Sequence, residues 1–249
     1  MITATALLDV PEIVPGDDLA ARLAGALRGH DVRNGDVLVL AHKIVSKAEG
    51  RIKALSDVQP TARAAALADE QGKDARHVQV VLDESRAVMR AAHGVLICVT
   101  HHGFVCANAG VDASNVPGEG LVVLLPQDPD GSARAIRARL RELLEAAPAV
   151  LVTDSFGRAW RHGQCDVAIG CAGLAPLEDW RGWVDYTGRE LKATWIAIAD
   201  ELAAAADLAR TKDGGQPAVL IRGAERHVTP EDGPGAKAMI RPEAEDLFR

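Results

Sequence analysis

The stretch Val150-Leu151-Val152-Thr153-Asp154-Ser155-Phe156-Gly157-Arg158-Ala159-Trp160-Arg161-His162-Gly163 changes character after its third residue. Three aliphatic side chains in succession predict a buried strand. An aspartate and a hydroxyl then mark its exit, and glycine- and cation-rich chain follows. The arrangement recurs earlier. Val95-Leu96-Ile97-Cys98-Val99 predicts a strand, and His101-His102-Gly103-Phe104-Val105-Cys106-Ala107-Asn108-Ala109-Gly110-Val111-Asp112-Ala113-Ser114-Asn115 follows it. A hydrophobic core uses none of these polar groups. A site for a divalent cation and a phosphate uses all of them: hard oxygen ligands for the one, cations and backbone N–H groups for the other.

Working outward, Gly35-Asp36-Val37-Leu38-Val39-Leu40-Ala41 predicts another buried strand, and it runs directly into His42-Lys43-Ile44-Val45-Ser46-Lys47-Ala48-Glu49-Gly50-Arg51. Leu19, Leu23 and Leu27 recur at helical spacing behind the capping pair Asp17-Asp18, predicting a helix that ends near Gly29. Helices are also expected over 61–71 and 77–91, and along the face Ile136, Leu140, Leu143 and Leu144. Thr187-Gly188-Arg189-Glu190 has the form of a capping box, so a long helix is expected from there to about Ala209. Further strands are expected at 121–125, 166–170 and 218–221. Helices and strands alternate irregularly, which points to an α+β fold rather than a regular βαβ series.

The chain has 249 residues, 48% of them hydrophobic and 25% charged, enough to bury a core without staples. Aromatics are only 3%, so Ala, Leu and Val must carry that core. A net charge of -7 argues against general binding to nucleic acid or anionic membrane. No apolar run approaches a membrane span. The N-terminus lacks the basic start and apolar stretch of a secretion signal, so a cytoplasmic location is expected. Cys98, Cys106, Cys165 and Cys171 form no CxxC pair and read as reduced, buried thiols.

Neither a Walker A loop nor a GxGxxG fingerprint is present. Lys43 and Lys47, four apart, share a face on a helical turn; they either grip a polyphosphate or form a solvated basic face. Asp112 and Asn115 either hold a metal and a nucleotide or close an Asx-turn. Asp154 and Ser155 either bind Mg²⁺, with Arg158, Arg161 and His162 neutralising transferred charge, or cap a turn. Two acids at separate strand exits, each beside donors, fit a clamp for Mg²⁺ and phosphate better than two unrelated turns. His101-His102 lacks a third ligand at zinc spacing. Trp160, inside the polar stretch, is the tryptophan placed to stack on a ring.

Several segments carry a family resemblance. They are Val10-Pro11-Glu12-Ile13; Lys43 to Arg51; His102 to Asp112 with Ser114-Asn115-Val116; Asp154-Ser155-Phe156-Gly157-Arg158 with Trp160-Arg161 and Gly163; and Asp166-Val167-Ala168-Ile169-Gly170 through Asp185-Tyr186. Together they resemble the coenzyme F420-0:L-glutamate ligases, the γ-glutamyl ligases of deazaflavin-coenzyme biosynthesis. The likeness runs nearly end to end. The segments from Asp232 to Ala236 and from Arg241 to Phe248 resemble the hinge that precedes a nitroreductase-like flavin domain in the actinobacterial two-domain version. On that reading residues 1–249 are the ligase domain alone.

The resemblance implies a two-lobed α+β fold, an intertwined homodimer, and GTP-dependent ligation of L-glutamate to coenzyme F420-0 through an acyl phosphate. It implies Mg²⁺ or Mn²⁺, with K⁺ as a further candidate ion. By resemblance Asp112, Asp154 and Ser155 bind the divalent cations, and Val10, Pro11, Glu12, Ile13, His42, Lys47 and Asn115 line the GTP site. Lys43, Arg158 and Arg161 are added here as phosphate or carboxylate contacts. The chain departs from the family pattern at His42, where a small hydroxyl residue is usual. It departs also in the loop Arg210 to Pro217, where Thr211 stands opposite a metal-binding glutamine of archaeal members. A non-catalytic GTP or GDP sensor and a metal-dependent phosphohydrolase are the competing readings.

Overall fold

The aliphatic runs read as strands come together in one sheet. The computed structural model describes residues 1–116 and 118–247; Phe248, in the hinge-like segment, lies outside them. The central sheet contains β1 (Thr3–Ala6), β2 (Val37–Ala41), β8 (Ala149–Arg158), β9 (Arg161–Ala172) and β12 (Ala218–Arg222), in the order β1-β12-β2-β8-β9. Only β2 and β8 pair in parallel; every other neighbour is antiparallel. The sheet is covered on both faces, which is why its inner strands are continuously apolar rather than alternating. Leu38, Leu40, Val150 and Val152 face α1 (Leu19–Ala26) and α5 (Pro129–Leu144). Val37, Val39 and Leu151 face α6 (Ile198–Leu208).

A second lobe has its own core. The helices α3 (Ala62–Gln71) and α4 (Ala75–Asp83) pack against the small sheet of β4 (Ser85–Ala92), β5 (Val95–Thr100) and β6 (Val105–Ala107), burying Val78, Val81, Leu96 and Cys98. The hairpin of β3 (Ile52–Ala54) and β7 (Leu121–Val123) leads the chain in and out of this lobe. The mixed α/β class read from the sequence is the one observed, and among the described residues no helix is long and apolar enough to cross a membrane.

Helix starts follow their caps. Asp18, Thr61, Asp74 and Asp128 each accept a backbone N–H from the first turn of α1, α3, α4 and α5. The edge of β9 is blocked by carboxylates instead of a further strand. Asp200 Oδ1 accepts from Ala168 N at 2.8 Å, and buried Asp130 Oδ1 accepts from Cys171 N at 2.9 Å and Ala236 N at 2.7 Å.

Three expectations are corrected. The helix expected over 77–91 stops at Asp83, and β4 begins at Ser85. The turn His93-Gly94, with φ of 52° and 74°, folds β4 back onto β5 as a two-residue hairpin, and that pairing overrides helical spacing. The capping-box helix from Thr187 does not form. Asp185 Oδ1 accepts from Thr187 N and Oγ1 and from Arg189 N, closing an Asx loop. Trp195 enters the short ladder of β10 (Glu178–Asp179) and β11 (Trp195–Ile196), with the Arg181 guanidinium 4.0 Å from its ring centroid. The helix starts only at Ile198. Finally, the polar stretch after Val152 is not a strand exit: β8 continues to Arg158 and returns as β9.

Candidate functional site

The register of the parallel pair builds the site. Ala41 of β2 lies opposite Thr153 of β8, so the next residues, His42 and Asp154, emerge side by side. The open carboxyl end of parallel strands is where α/β sheets present ligand sites. His42 opens α2 (His42–Ala48) and is buried. Its Nδ1 is 3.2 Å from Ser46 Oγ. Its Nε2 lies 3.4 Å from Asp154 Oδ1 and has no hydrogen-bond partner among the described residues. Asp154 Oδ1 also accepts from Ser155 N at 2.8 Å, and Oδ2 accepts no hydrogen bond among the described residues.

One turn along α2 the two lysines share a face, as their spacing predicts. Lys43 Nζ donates to Asp112 Oδ2 at 2.6 Å and to Ser114 Oγ at 2.7 Å. Lys47, almost wholly buried, donates to Glu12 Oε1 at 2.5 Å. These are charge-assisted bonds across long sequence separations, so α2 ties the N-terminal loop to the second lobe. Burial pushes the Asp112 carboxyl up, but the Lys43 ammonium and the Ser114 donors outweigh it and hold the group below the usual carboxylate range. Asp112 itself is fixed by a two-way backbone bridge to Val123.

The approach to Asp112 is strained. Asn108, Ala109 and Gly110 have φ of 50°, 53° and 72°, and a Cβ on Gly110 would come within 2.7 Å of Leu125. Successive left-handed residues are costly without such close packing to enforce them. Asn115 is left-handed too, at φ 56°.

On the opposite face of β8, Thr153 and Ser155 converge on Asp166 of β9, a group the sequence reading did not single out. Thr153 Oγ1 donates to Asp166 Oδ2 at 2.9 Å and Ser155 Oγ to Oδ1 at 2.6 Å. The Arg210 guanidinium pairs with Oδ2 as well. Lys212 Nζ, from the 210–217 loop, reaches Ser155 Oγ at 3.1 Å and Asp207 Oδ1 at 2.8 Å. The signal was period-two polarity at Thr153 and Ser155, facing an acid on the returning strand.

Other expected residues are placed elsewhere. Ile13 is core, Val10 packs against that core, and Pro11 is exposed. Arg158 and Arg161 face each other at the exposed tip of the β8–β9 hairpin, and Arg158 Nη2 donates to His162 O at 2.7 Å. Four residues of strand, about 13 Å, separate them from Asp154. His101 and His102 are held by backbone carbonyls, with Nε2 2.8 Å from Asp83 O and 2.9 Å from Pro126 O respectively. The thiols of Cys98, Cys106 and Cys171 are buried, and burial pushes Cys106 and Cys171 up to about 12.

No group of three or more His, Cys, Asp or Glu side chains among the described residues forms a closed metal cage. The donor set instead suits an ion shared with a substrate phosphate. Mg²⁺ commonly takes one or two carboxylates and leaves its remaining positions to water and phosphate. Asp154, with its free Oδ2, meets that need, whereas the Ser155 hydroxyl, expected beside it, points to the other face of β8 because side chains alternate along a strand, and it is held there by Asp166 and Lys212.

The model of the F420-0:Gamma-glutamyl ligase family matches residues 8–223. The chain belongs to this family. A coenzyme F420:L-glutamate ligase of Methanothermobacter thermautotrophicus is 45% identical over 243 residues, covering 96% of this chain and 96% of the relative. That of Methanopyrus kandleri is 45% identical over 240 residues, 96% and 94% of the two chains. That of Haloarcula marismortui is 44% identical over 248 residues, 96% and 93%. The matched span of the ligase family includes β2, α2, Asp112, the β8–β9 hairpin and the 210–217 loop, and so the whole polar cluster.

Proposed function

We propose that this ligase joins L-glutamate to coenzyme F420-0, using GTP to activate the acceptor carboxylate. The observation that carries the reading is the in-register end of β2 and β8, which sets His42 and Asp154 beside each other with Lys43–Asp112 and Ser155–Asp166 on either side. A carboxylate is a poor electrophile until one oxygen becomes a good leaving group. Transfer of the γ-phosphoryl group onto it gives an acyl phosphate and GDP. The glutamate amine then attacks the carbonyl carbon, the C–O bond to phosphate breaks, and inorganic phosphate and a proton leave. No protein nucleophile is required, only positioning and charge neutralisation.

Asp154, with Asp112, would hold a divalent cation, Mg²⁺ or Mn²⁺, and Ser155 would serve one only on the Asp166 face of β8; the chemistry of the ion is to neutralise charge on the transferring phosphoryl oxygens. Lys43 and Lys47 grip phosphate in exchange for their present carboxylate partners, and Asn115 and the 10–13 loop flank the nucleotide. Arg158 and Arg161 meet the anionic substrates from the hairpin tip. The reading includes a homodimer. Trp183, Val184, Tyr186 and Trp195 leave an apolar face exposed around the β10–β11 ladder, with Trp183 63% and Tyr186 fully accessible. Exposed patches of this kind mark protein interfaces.

The test is mass spectrometry of F420-0 incubated with the protein, GTP, Mn²⁺ and L-glutamate. A gain of one or more glutamyl units, absent when ATP replaces GTP, is expected. Phosphate release without any glutamyl product would favour a phosphohydrolase. Nucleotide binding with neither would favour a sensor. Sedimentation at micromolar concentration tests the dimer, which should persist in wild type and weaken in Trp183→Ala/Tyr186→Ala.

A further inference from the structure

A cavity of about 370 Å³ adjoins the site on the Asp154 face of the hairpin. Its walls are Phe104, Phe156, Val167, Met239 and Ile240. That volume, with apolar walls and a few polar groups, is typical of a small-molecule pocket. Strand geometry places it beside Asp154. Phe156 follows Asp154 by two residues on β8 and so shares its face, and Val167 lies directly opposite Asp154 on β9. The step from Asp154 to Phe156 is about 7 Å.

Two features point to a flat aromatic occupant. The sequence has only three phenylalanines, and two of them line this one cavity. They meet edge to face at 6.2 Å between ring centroids, while His102 stacks on Phe104 at 5.5 Å, so the aromatic wall is braced from behind. The charged groups at the rim are two carboxylates, Asp200 and Asp246, and one guanidinium, Arg241. Asp200 uses Oδ1 to receive Ala168 N, leaving Oδ2 without a partner among the described residues, and Arg241 brings a guanidinium. The edge of a deazaflavin ring carries an N–H between two carbonyls. A carboxylate beside a guanidinium complements it.

We infer that this cavity holds the tricyclic deazaflavin ring of the acceptor, with Phe104 and Phe156 as its stacking wall and Asp200 and Arg241 at its polar edge. The inference rests on the proposed ligase reading. The ring is remote from the reacting carboxylate, so its binding energy serves to place the far end of the substrate at Asp154 and Lys43.

Met239→Trp fills the cavity from a partly exposed position, and Met239→Leu keeps its size. Binding of F420-0, followed through its own ring fluorescence, should weaken about tenfold or more in Met239→Trp and stay near wild type in Met239→Leu. KM for GTP should be unchanged in both. Equal F420-0 binding by folded wild type and Met239→Trp would overturn the cavity assignment and leave the ligase reading intact. A rise in KM for GTP instead of for F420-0 would also overturn it, placing the nucleotide base there. Selective loss of F420-0 binding in Met239→Trp, with no glutamylated product from wild type, would support the cavity while overturning the ligase reading.

Discussion

The β8–β9 hairpin has a root and a tip that handle charge in opposite ways. At the root, Thr153, Ser155, Asp166 and Arg210 form a closed set in which donors and acceptors answer one another within the fold, and Asp166 is buried. At the tip, Arg158 and Arg161 stand opposite each other in water, and among the described residues Arg158 bonds only carbonyls of its own turn. A buried network of this kind fixes geometry before substrate arrives, since every member has a partner to lose. Charges in solvent cost little to move and little to remove. One strand pair thus carries a preorganised floor and an adjustable rim.

Removing Asp166 should break the root most severely. Asp166→Ala removes the nearer carboxylate of the buried Arg210 guanidinium, leaving it Asp207 at 3.7 Å, and takes from two hydroxyls their shared acceptor. Loss of one partner of a buried ion pair typically costs about 3–5 kcal/mol, readable by urea denaturation. Asp166→Asn, which still accepts from Ser155, should recover part of that loss. Denaturation midpoints equal to wild type in both variants would show that the network is not a stability element.

Asp154→Asn separates chemistry from stability at the same root. Asp154 is only half-buried, and the variant keeps an oxygen to accept from Ser155 N. Stability should change by less than about 0.5 kcal/mol. Turnover should fall by about 100-fold or more, the scale seen when a group stabilising transferred charge is removed. Wild-type turnover in this variant would remove Asp154 from the metal-binding role.

The root was only half visible in the sequence. Val37 to Ala41 and Val150 to Val152 announced themselves as strands because a sheet buried on both faces needs unbroken aliphatic runs. Lys43, Asp154 and Ser155 could be picked out as polar residues adjoining such runs and Asp112 as an acid in a glycine-bearing loop, while His42 was marked by the family resemblance alone. Asp166 could not, because its role depends on the Ser155–Asp166 register of an antiparallel pair, and register is a tertiary property. The same limit explains the helix wrongly expected over 77–91: local spacing favoured it, and pairing with β5 decided otherwise. At Thr187 the failure was local. A Thr-x-x-Glu pattern fits both a capping box and an Asx loop, and Asp185, two residues upstream, selects the loop.

The tip should respond to the same kinds of change hardly at all. Arg158→Ala and Arg161→Ala are each expected to shift stability by under about 0.5 kcal/mol. Any effect on ligation should appear as a raised KM for an anionic substrate that deepens with salt, because an exposed cation acts through a screened field. The two cysteines of β9 read out the gradient between the ends without touching a charge. Cys171 lies opposite Leu151, deeper in the sheet than the root, fully buried, with its thiol pushed up to about 12, so almost no thiolate forms at neutral pH. Cys165 lies opposite Phe156, nearer the tip and only half-buried. Iodoacetamide on the native protein at pH 8 should therefore label Cys165 well before Cys171, by peptide mass mapping. In Asp166→Ala that order should narrow as the root loosens. Equal labelling of both thiols in the wild type would mean that the sheet beneath the root opens as readily as the strand beside Asp166, and the contrast between a fixed floor and an adjustable rim would not hold.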